Sequence, residues 1–214
     1  MSIQILQNHI QQLLPEMTLD WSEIPELPGF QWCLLDASCE QQSLHTDQVG
    51  LFWQNLPYWA FAWAGGVALS KYLLAHPDKV VGKRVLDFGC GSGLAGVVSA
   101  KLGAASVDCC DLDEVALQAA QLNARQNGVT VNGIVDWQNN QYDCLLAADV
   151  LYDLTSVPDL AKHCAEIPGW IVAETNFQTP PWQDIKRVEN FRASTWPRLD
   201  DFDDQVAVNI FERE

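Results

Sequence analysis

Residues 85–93 read Val-Leu-Asp-Phe-Gly-Cys-Gly-Ser-Gly, an apolar run that passes directly into three glycines at alternate positions. The apolar run predicts a short buried strand over 84–88, and the glycines predict a tight turn into a following helix. Because glycine has no Cβ, such a turn lets a ligand approach the backbone and the helix N-terminus closely. The stretch therefore predicts an α/β sheet with a ligand site at the carboxyl end of this strand.

Strand and helix patterns alternate after this turn. Apolar spacing predicts further strands over 106–110, 130–135, 142–148 and 170–173, and helices over 94–102, after Asp113 and after Ser156. Near the end, strands over 188–195 and 206–211 flank an acidic turn and form a hairpin. The pattern predicts a doubly wound, mostly parallel seven-strand sheet of the Rossmann-like class, with helices on both faces and a C-terminal antiparallel hairpin.

The segment before the glycine-rich strand differs in composition. Residues 1–70 contain seven acids and no Lys or Arg. We predict an N-terminal cap over 1–56, which begins with a helix over 3–14 and continues as irregular or strand-containing chain. Residues 57–214 are expected to form one compact ligand-binding core, beginning with a helix over 65–75.

Composition and charge limit the classes of partner. The 214 residues carry 28 acids against 12 Lys and Arg, a formal net charge of −16. A nucleic-acid substrate is disfavoured, because binding to phosphates needs clustered basic side chains. The sequence shows no membrane-spanning apolar run and no targeting segment, and its seven cysteines have no paired metal-ligand spacing. We therefore expect a cytoplasmic monomer with reduced thiols and no metal.

Acidic residues stand at the ends of the predicted strands. Asp111, Asp136 and Asp149 follow the second, third and fourth strands. Ligands of such sheets bind beyond the carboxyl ends of the strands, where Asp111 could accept hydrogen bonds from both ribose hydroxyls. Residues 91–96 also spell G-x-G-x-x-G, with Asp111 twenty residues after Gly91, so a dinucleotide is one alternative. The sequence predicts a ligand that contains a nucleoside.

Two features favour S-adenosylmethionine over a dinucleotide. Asp87 precedes the glycines, and a carboxylate there would repel a pyrophosphate but attract a sulfonium with an amino-acid tail. Asp87 could equally fix the loop. The segment 51–63 (LFWQNLPYWAFAW) is rich in aromatic side chains, which stack on planar or cationic ligands or simply pack in the core.

The quoted stretch 85–93, together with 57–66 (PYWAFAWAGG) and 149–153 (DVLYD), resembles the class I methyltransferases. The resemblance spans about 57–155 and is strongest to the seven-strand protein lysine methyltransferases that act on the beta subunit of electron-transfer flavoprotein. It implies methyl transfer from S-adenosylmethionine to a protein that bears an accessible lysine. After the fifth strand the chain departs from that group, because Glu174-Thr175-Asn176-Phe177 stands in place of Asp-Pro-Gly-Arg; this affects the substrate more than the cofactor.

The resemblance and the strand-end positions together give a candidate site. Asp149 and Tyr152, the D-x-x-Y residues, are implied to line the acceptor pocket. The residues predicted to hold the cofactor are Trp63, Asp87, Gly89, Cys90, Gly91, Gly93, Asp111, Leu112, Asp136 and Trp137.

Alternatives remain open for these residues. Asp149 could cap a turn, Tyr152 could only pack in the core, and Cys90 could be either a reactive thiol or a small packing residue. The same sequence would fit a small-molecule N-methyltransferase of the nicotinamide type, or a non-catalytic module that binds the cofactor. The glycine turn, Asp111 and the D-x-x-Y residues argue against the non-catalytic module.

Overall fold

The computed structural model describes residues 2–13, 15–36, 57–138, 141–151, 165–175, 180, 182, 184–198 and 204–213. The helices within these ranges are α1 (Ile3–Leu13), α2 (Ala64–Ala75), α3 (Leu94–Leu102) and α4 (Glu114–Gln126). The strands are β1 (Leu19–Ser22), β2 (Trp32–Leu35), β3 (Arg84–Phe88), β4 (Ser106–Cys110), β5 (Asn132–Ile134), β6 (Cys144–Ala148), β7 (Gly169–Thr175), β8 (Lys186–Ala193) and β9 (Val206–Arg213). Short 3-10 helices cover Tyr58–Ala60 and Pro77–Lys79.

Seven strands form one sheet in the order β5-β4-β3-β6-β7-β9-β8. Five neighbouring strands pair in parallel, in the order β5, β4, β3, β6 and β7. The strand β9 is antiparallel to both β7 and β8. The order reverses at β3, which has β4 on one side and β6 on the other. This confirms the predicted doubly wound seven-strand sheet with a C-terminal antiparallel hairpin.

The predicted strand boundaries agree with the observed ones to within about two residues, and β8 is shifted from the predicted 188–195 to Lys186–Ala193. α3 and β4 have the predicted limits, and β7 and β9 extend about two residues beyond them. β5 covers only Asn132–Ile134 and is an edge strand that pairs with β4 alone. The helix predicted after Ser156, residues 37–56 and most of the acidic turn between the last two strands lie outside the described residues.

Apolar side chains pack on both faces of the sheet. On one face, Val85 of β3 packs with Val67 of α2 and Val98 of α3 in the largest cluster of buried residues. On the other face, Leu86 packs with Trp170 in a second cluster. Neighbouring residues of a strand point to opposite faces, so the continuous apolar run of β3 is explained by burial on both sides.

The N-terminal elements pack against α4. β1 and β2 form a separate antiparallel pair, and Leu6 and Ile10 of α1 are buried in one cluster with Ala119 of α4. β1 and β2 lie in the segment predicted as a strand-containing cap; its boundary at 56/57 stays a prediction. No helix in the described ranges is long and apolar enough to cross a bilayer.

Candidate functional site

The site is expected where the strand order reverses, at the carboxyl ends of β3 and β6. The glycine turn, residues 89–93, follows β3, and Asp149 follows β6. The two exits are in contact, because a Cβ built on Gly89 would lie 3.0 Å from Cγ1 of Val150. The topology thus brings together the two groups of residues that the sequence singled out.

The three glycines of the turn have left-handed backbones, with φ of 65° at Gly89, 51° at Gly91 and 80° at Gly93. Residues with a Cβ rarely adopt this conformation. A Cβ on Gly93 would lie 2.6 Å from Cβ of Ala120, whereas one on Gly91 would meet nothing closer than 3.9 Å. The absence of a side chain therefore serves the packing of α4 at Gly93 and leaves space for a ligand beside Gly91.

Asp111, directly after β4, is held by two backbone groups. Its Oδ2 accepts a hydrogen bond from the N–H of Gly91 at 3.0 Å, and its Oδ1 accepts one from the N–H of Asp113 at 3.0 Å. A carboxylate offers about four acceptor positions, so about two remain. Asp111 can therefore accept a pair of hydroxyl donors while it fixes the turn.

Asp87 supports the turn from below. Its side chain is 4% exposed, and its Oδ2 accepts a hydrogen bond from the N–H of Gly96 in α3 at 2.9 Å. Burial, opposed by this hydrogen bond and aided by the charge of Asp111, raises the pKa of Asp87 to about 7. A Cβ on Gly96 would lie 2.9 Å from the same oxygen. Asp87 thus holds the first turn of the helix that follows the glycines, and its contact with a ligand stays a prediction.

Apolar and aromatic side chains lie around the turn. Leu112, after β4, is 93% exposed, and Val135, after β5, is also exposed. Trp137 packs edge-to-face on Phe88, with ring centroids 6.3 Å apart. Such surfaces can cover a planar base. The sequence prediction named Leu112 and Trp137 but missed Val135, whose position after a short edge strand gave a weak signal.

Three other candidates have structural partners of their own. The indole N–H of Trp63 donates to the carbonyl oxygen of Tyr58 at 2.9 Å, and the two rings lie 5.6 Å apart. Oδ1 of Asp136 accepts a hydrogen bond from the N–H of Gln138 at 2.9 Å. The thiol of Cys109, together with burial, raises the pKa of Cys90 well above its usual value, which fits a packing residue better than a nucleophile.

Asp149 joins three segments of the chain. Its backbone is left-handed, with φ of 51°. Its Oδ2 accepts from the N–H of Gly65 at 2.8 Å, and its Oδ1 accepts from the N–H and the hydroxyl of Thr175 at 3.1 and 2.9 Å. Trp63, the N-cap residue of α2, makes no side-chain cap, so Asp149 satisfies this helix end from a distant segment. The capping role considered for Asp149 is present, with α2 as the capped element.

The same carboxylate keeps some capacity to bind. Burial raises the pKa of Asp149, although its hydrogen bonds to Thr175 and Gly65 act in the opposite direction. Three donors occupy about four acceptor positions, so one position remains on Oδ2. Asp149 can therefore hold one further donor, such as an amine. Tyr152, its predicted partner, lies outside the described residues.

Glu174, at the end of β7, is a site residue that sequence reasoning did not assign. It is 2% exposed, and its Oε1 accepts hydrogen bonds from the N–H groups of Val150 and Leu151 at 3.0 and 3.2 Å. Burial raises the pKa of Glu174 to about 8, with the charge of Asp149 as the next cause. The available signal was an acid at the end of an otherwise apolar strand. Among the residues described, no three His, Cys, Asp or Glu side chains are grouped to ligate a metal.

Comparison with known proteins gives matches over the segment that contains both strand exits. The family model of ribosomal protein L11 methyltransferase (PrmA) matches residues 69–173. A protein of Rattus norvegicus named electron transfer flavoprotein beta subunit lysine methyltransferase is 34% identical over 143 residues, which cover 64% of this chain and 54% of the relative. The chain therefore spans about half the length of that relative.

Two solved structures share the fold. SMU.776, assigned as a methyltransferase and in complex with SAH, superposes with a TM-score of 0.55 at 13% identity, covering 89% of this chain and 57% of its own. A protein of Pyrococcus horikoshii assigned as an RNA methyltransferase has a TM-score of 0.54 at 16% identity, covering 69% of this chain and 81% of its own. At such identities the likeness concerns the fold alone.

Proposed function

We propose that this chain is a class I, seven-strand methyltransferase and that it transfers a methyl group from S-adenosylmethionine to a lysine side chain of a protein. The observation that carries the proposal is the position of Asp149. It follows β6, the strand paired with β3, and so lies beside the glycine turn with one acceptor position left for an amine. Cofactor and acceptor sites thus adjoin each other.

The residues around the turn fit the proposed cofactor. A Cβ on Gly91 would meet nothing closer than the carbonyl oxygen of Tyr58 at 3.9 Å, and Asp111 keeps acceptor capacity for the two ribose hydroxyls. Leu112 and Trp137 offer apolar surface for the adenine. S-adenosylmethionine, when bound, supplies the methyl group on a positively charged sulfonium.

Asp149 has two tasks in this proposal. A lysine amine has a pKa of about 10.4, so it arrives protonated and must lose a proton before it can act as a nucleophile. The carboxylate attracts and orients the ammonium, and its raised pKa makes it a better proton acceptor than an ordinary Asp. Tyr58 and Trp63 help to exclude water, and the D-x-x-Y resemblance implies Tyr152 as a further residue of the acceptor site.

A protein acceptor is favoured by two lines of support. The rat relative is named a lysine methyltransferase, and a net charge of −16 attracts a basic protein and repels nucleic acid. We further propose a cytoplasmic monomer. Unpaired buried thiols such as those of Cys33 and Cys144 fit a reducing compartment.

The test is methyl transfer from tritium-labelled S-adenosylmethionine into an extract of cells that lack this protein. Products are resolved by gel and by small-molecule chromatography, and mass spectrometry identifies the modified residue. The test variant is Asp149→Asn, and the control is Asp113→Asn, which alters the N-cap of α4 away from the acceptor site.

We expect a labelled protein band that contains methyl-lysine, is lost with Asp149→Asn and persists with Asp113→Asn. Label confined to small molecules would contradict the protein acceptor. Absence of label despite cofactor binding, measured by calorimetry, would contradict the enzymatic function itself.

A further inference from the structure

Two carboxyl groups connect the residues that follow β6 with the last residues of β7. The carboxylate of Asp149, after β6, accepts hydrogen bonds from the N–H and hydroxyl of Thr175. The carboxyl group of Glu174, next to Thr175, accepts hydrogen bonds from the backbone N–H groups of Val150 and Leu151, which follow Asp149. Each segment therefore supplies an acceptor to the other, and neither exit can move alone.

The Val150–Leu151 turn, which is hydrogen-bonded to Glu174, also contacts the glycine turn. The side chain of Val150 lies so close to Gly89 that a Cβ there would be 3.0 Å away. Leu151 is fully buried. Backbone groups that would otherwise be unpaired in this buried position are costly, so the bonds to Glu174 determine where the Val150–Leu151 turn lies.

We propose that Glu174 is a positioning residue for the methyl transfer proposed above, on which this inference rests. Its carboxyl group fixes the Val150–Leu151 turn, and this sets the placement of Asp149 relative to the glycine turn. Methyl transfer is an in-line displacement whose rate depends on such alignment. A displacement of the turn is expected to lower kcat more than it weakens cofactor binding.

The protonation state of Glu174 gives this role a specific signature. Its pKa of about 8 means that it is mostly protonated at pH 7. Among the described residues, Asp149 is the charged group that raises the pKa of Glu174. On the neighbouring strand β9, the residue paired with Glu174 is Asn209, which carries no charge. A glutamine at position 174 keeps the acceptor oxygen and the neutral state, so it should replace Glu174 at pH 7.

The test compares Glu174→Ala, Glu174→Gln and Glu174→Asp with a control. The control is Asp143→Ala. The carboxylate of Asp143 accepts a hydrogen bond from the backbone N–H of Arg84 at 2.9 Å and so connects β6 to β3 at the amino ends of these strands, away from the site. The readouts are kcat and KM between pH 6.5 and 9, cofactor affinity, and hydrogen exchange of the Val150 and Leu151 amides.

We expect Glu174→Ala to lower kcat about tenfold or more, as a loss of about 1.4 kcal/mol would, and to speed exchange of both amides by a similar factor. Glu174→Gln should keep kcat within about threefold at pH 7, and should lose any change of rate that wild type shows near pH 8. Asp143→Ala should keep kcat near the wild-type value. If Glu174→Ala does not fold, the kcat of Glu174→Gln should still exceed that of Glu174→Asp. The shorter side chain of aspartate moves the acceptor oxygen away from the N–H groups of Val150 and Leu151.

The proposal is overturned by a wild-type kcat in Glu174→Ala, by an equal loss in Asp143→Ala, or by Glu174→Asp that outperforms Glu174→Gln. If the wild-type protein methylates no protein, the proposed function fails, and amide exchange still decides the positioning role. Faster exchange in Glu174→Ala than in Asp143→Ala then supports the hold on the turn, and equal exchange refutes it.

Discussion

Asn123 donates a hydrogen bond of 2.8 Å to the carbonyl oxygen of Ser92, inside the glycine turn. Its side-chain oxygen accepts another, also of 2.8 Å, from the backbone N–H of Cys33 in β2. The amide is fully buried. A single side chain of α4 therefore connects the N-terminal hairpin to the turn where the cofactor is proposed to bind, which gives the N-terminal residues a role in the site.

Asn123→Ala is predicted to weaken binding of S-adenosylhomocysteine about fivefold. The variant leaves the buried carbonyl group of Ser92 without its hydrogen bond, which costs about 1–3 kcal/mol, and the turn is then held less firmly. Isothermal titration calorimetry measures the affinity. The matched control is Asn127→Ala, which removes two bonds to the backbone of Gln31 and one to the carbonyl oxygen of Asn123 but leaves Ser92 untouched. Equal affinity losses in the two variants would contradict the connection through Asn123.

Asp111→Ala is predicted to raise the dissociation constant for S-adenosylhomocysteine by tenfold or more, about 1.4 kcal/mol or above. The variant loses the proposed acceptor of the ribose hydroxyls and the bond to Gly91. Asp113→Ala loses only the N-cap bond to Val115, so it should cost about 1 kcal/mol of stability and little affinity. Calorimetry on both variants separates the two aspartates, and comparable affinities would refute the assignment of Asp111.

Gly65→Ala is predicted to destabilise the protein by about 2 kcal/mol or more, because its Cβ would collide with the carboxylate of Asp149. Gly66→Ala is the matched control in the same helix. Its Cβ meets the flexible end of Leu94 at 3.1 Å, and alanine favours the helix by up to about 1 kcal/mol. Urea denaturation compares the two variants, and similar stabilities would show that Asp149 can move away from α2.

Stability is predicted to fall as the pH rises from 5 to 8. The folded protein holds the proton of Glu174 up to about pH 8, whereas the unfolded chain releases it near the usual value of 4.5. Glu174 therefore favours folding fully at low pH and loses this contribution by about pH 8, with a slope of up to about 1 kcal/mol per pH unit.

Glu174→Gln should reduce this slope, since glutamine does not titrate, and Asp87, whose pKa is also raised, to about 7, should retain part of it. Glu166→Gln, which changes an exposed acid, should keep the wild-type slope. The free energy of unfolding, measured in urea at several pH values, checks both variants. A wild-type slope in Glu174→Gln would exclude Glu174 as the titrating group.

The sequence was sufficient to predict the sheet and to place one side of the candidate site at the ends of its strands. Glycine at left-handed positions and acids after strands are local signals, so the turn at 89–93 and Asp111 could be found from residue spacing. Bonds between distant segments leave no such trace. Asn123 looked like one more position in a helix, and Glu174 acquires its role only because β6 and β7 are neighbours in the folded sheet.

The three hydrogen bonds of Asp149 also affect how related sequences should be compared. This carboxylate holds the start of α2 and the end of β7 whether or not an amine ever reaches it. Natural selection for stability alone would then retain the residue in a descendant that had lost catalysis. Among homologues, retention of Asp149 alone would thus be poor evidence of catalysis, and in a chain that had become only a binding protein the other acceptor-site residues would diverge before it.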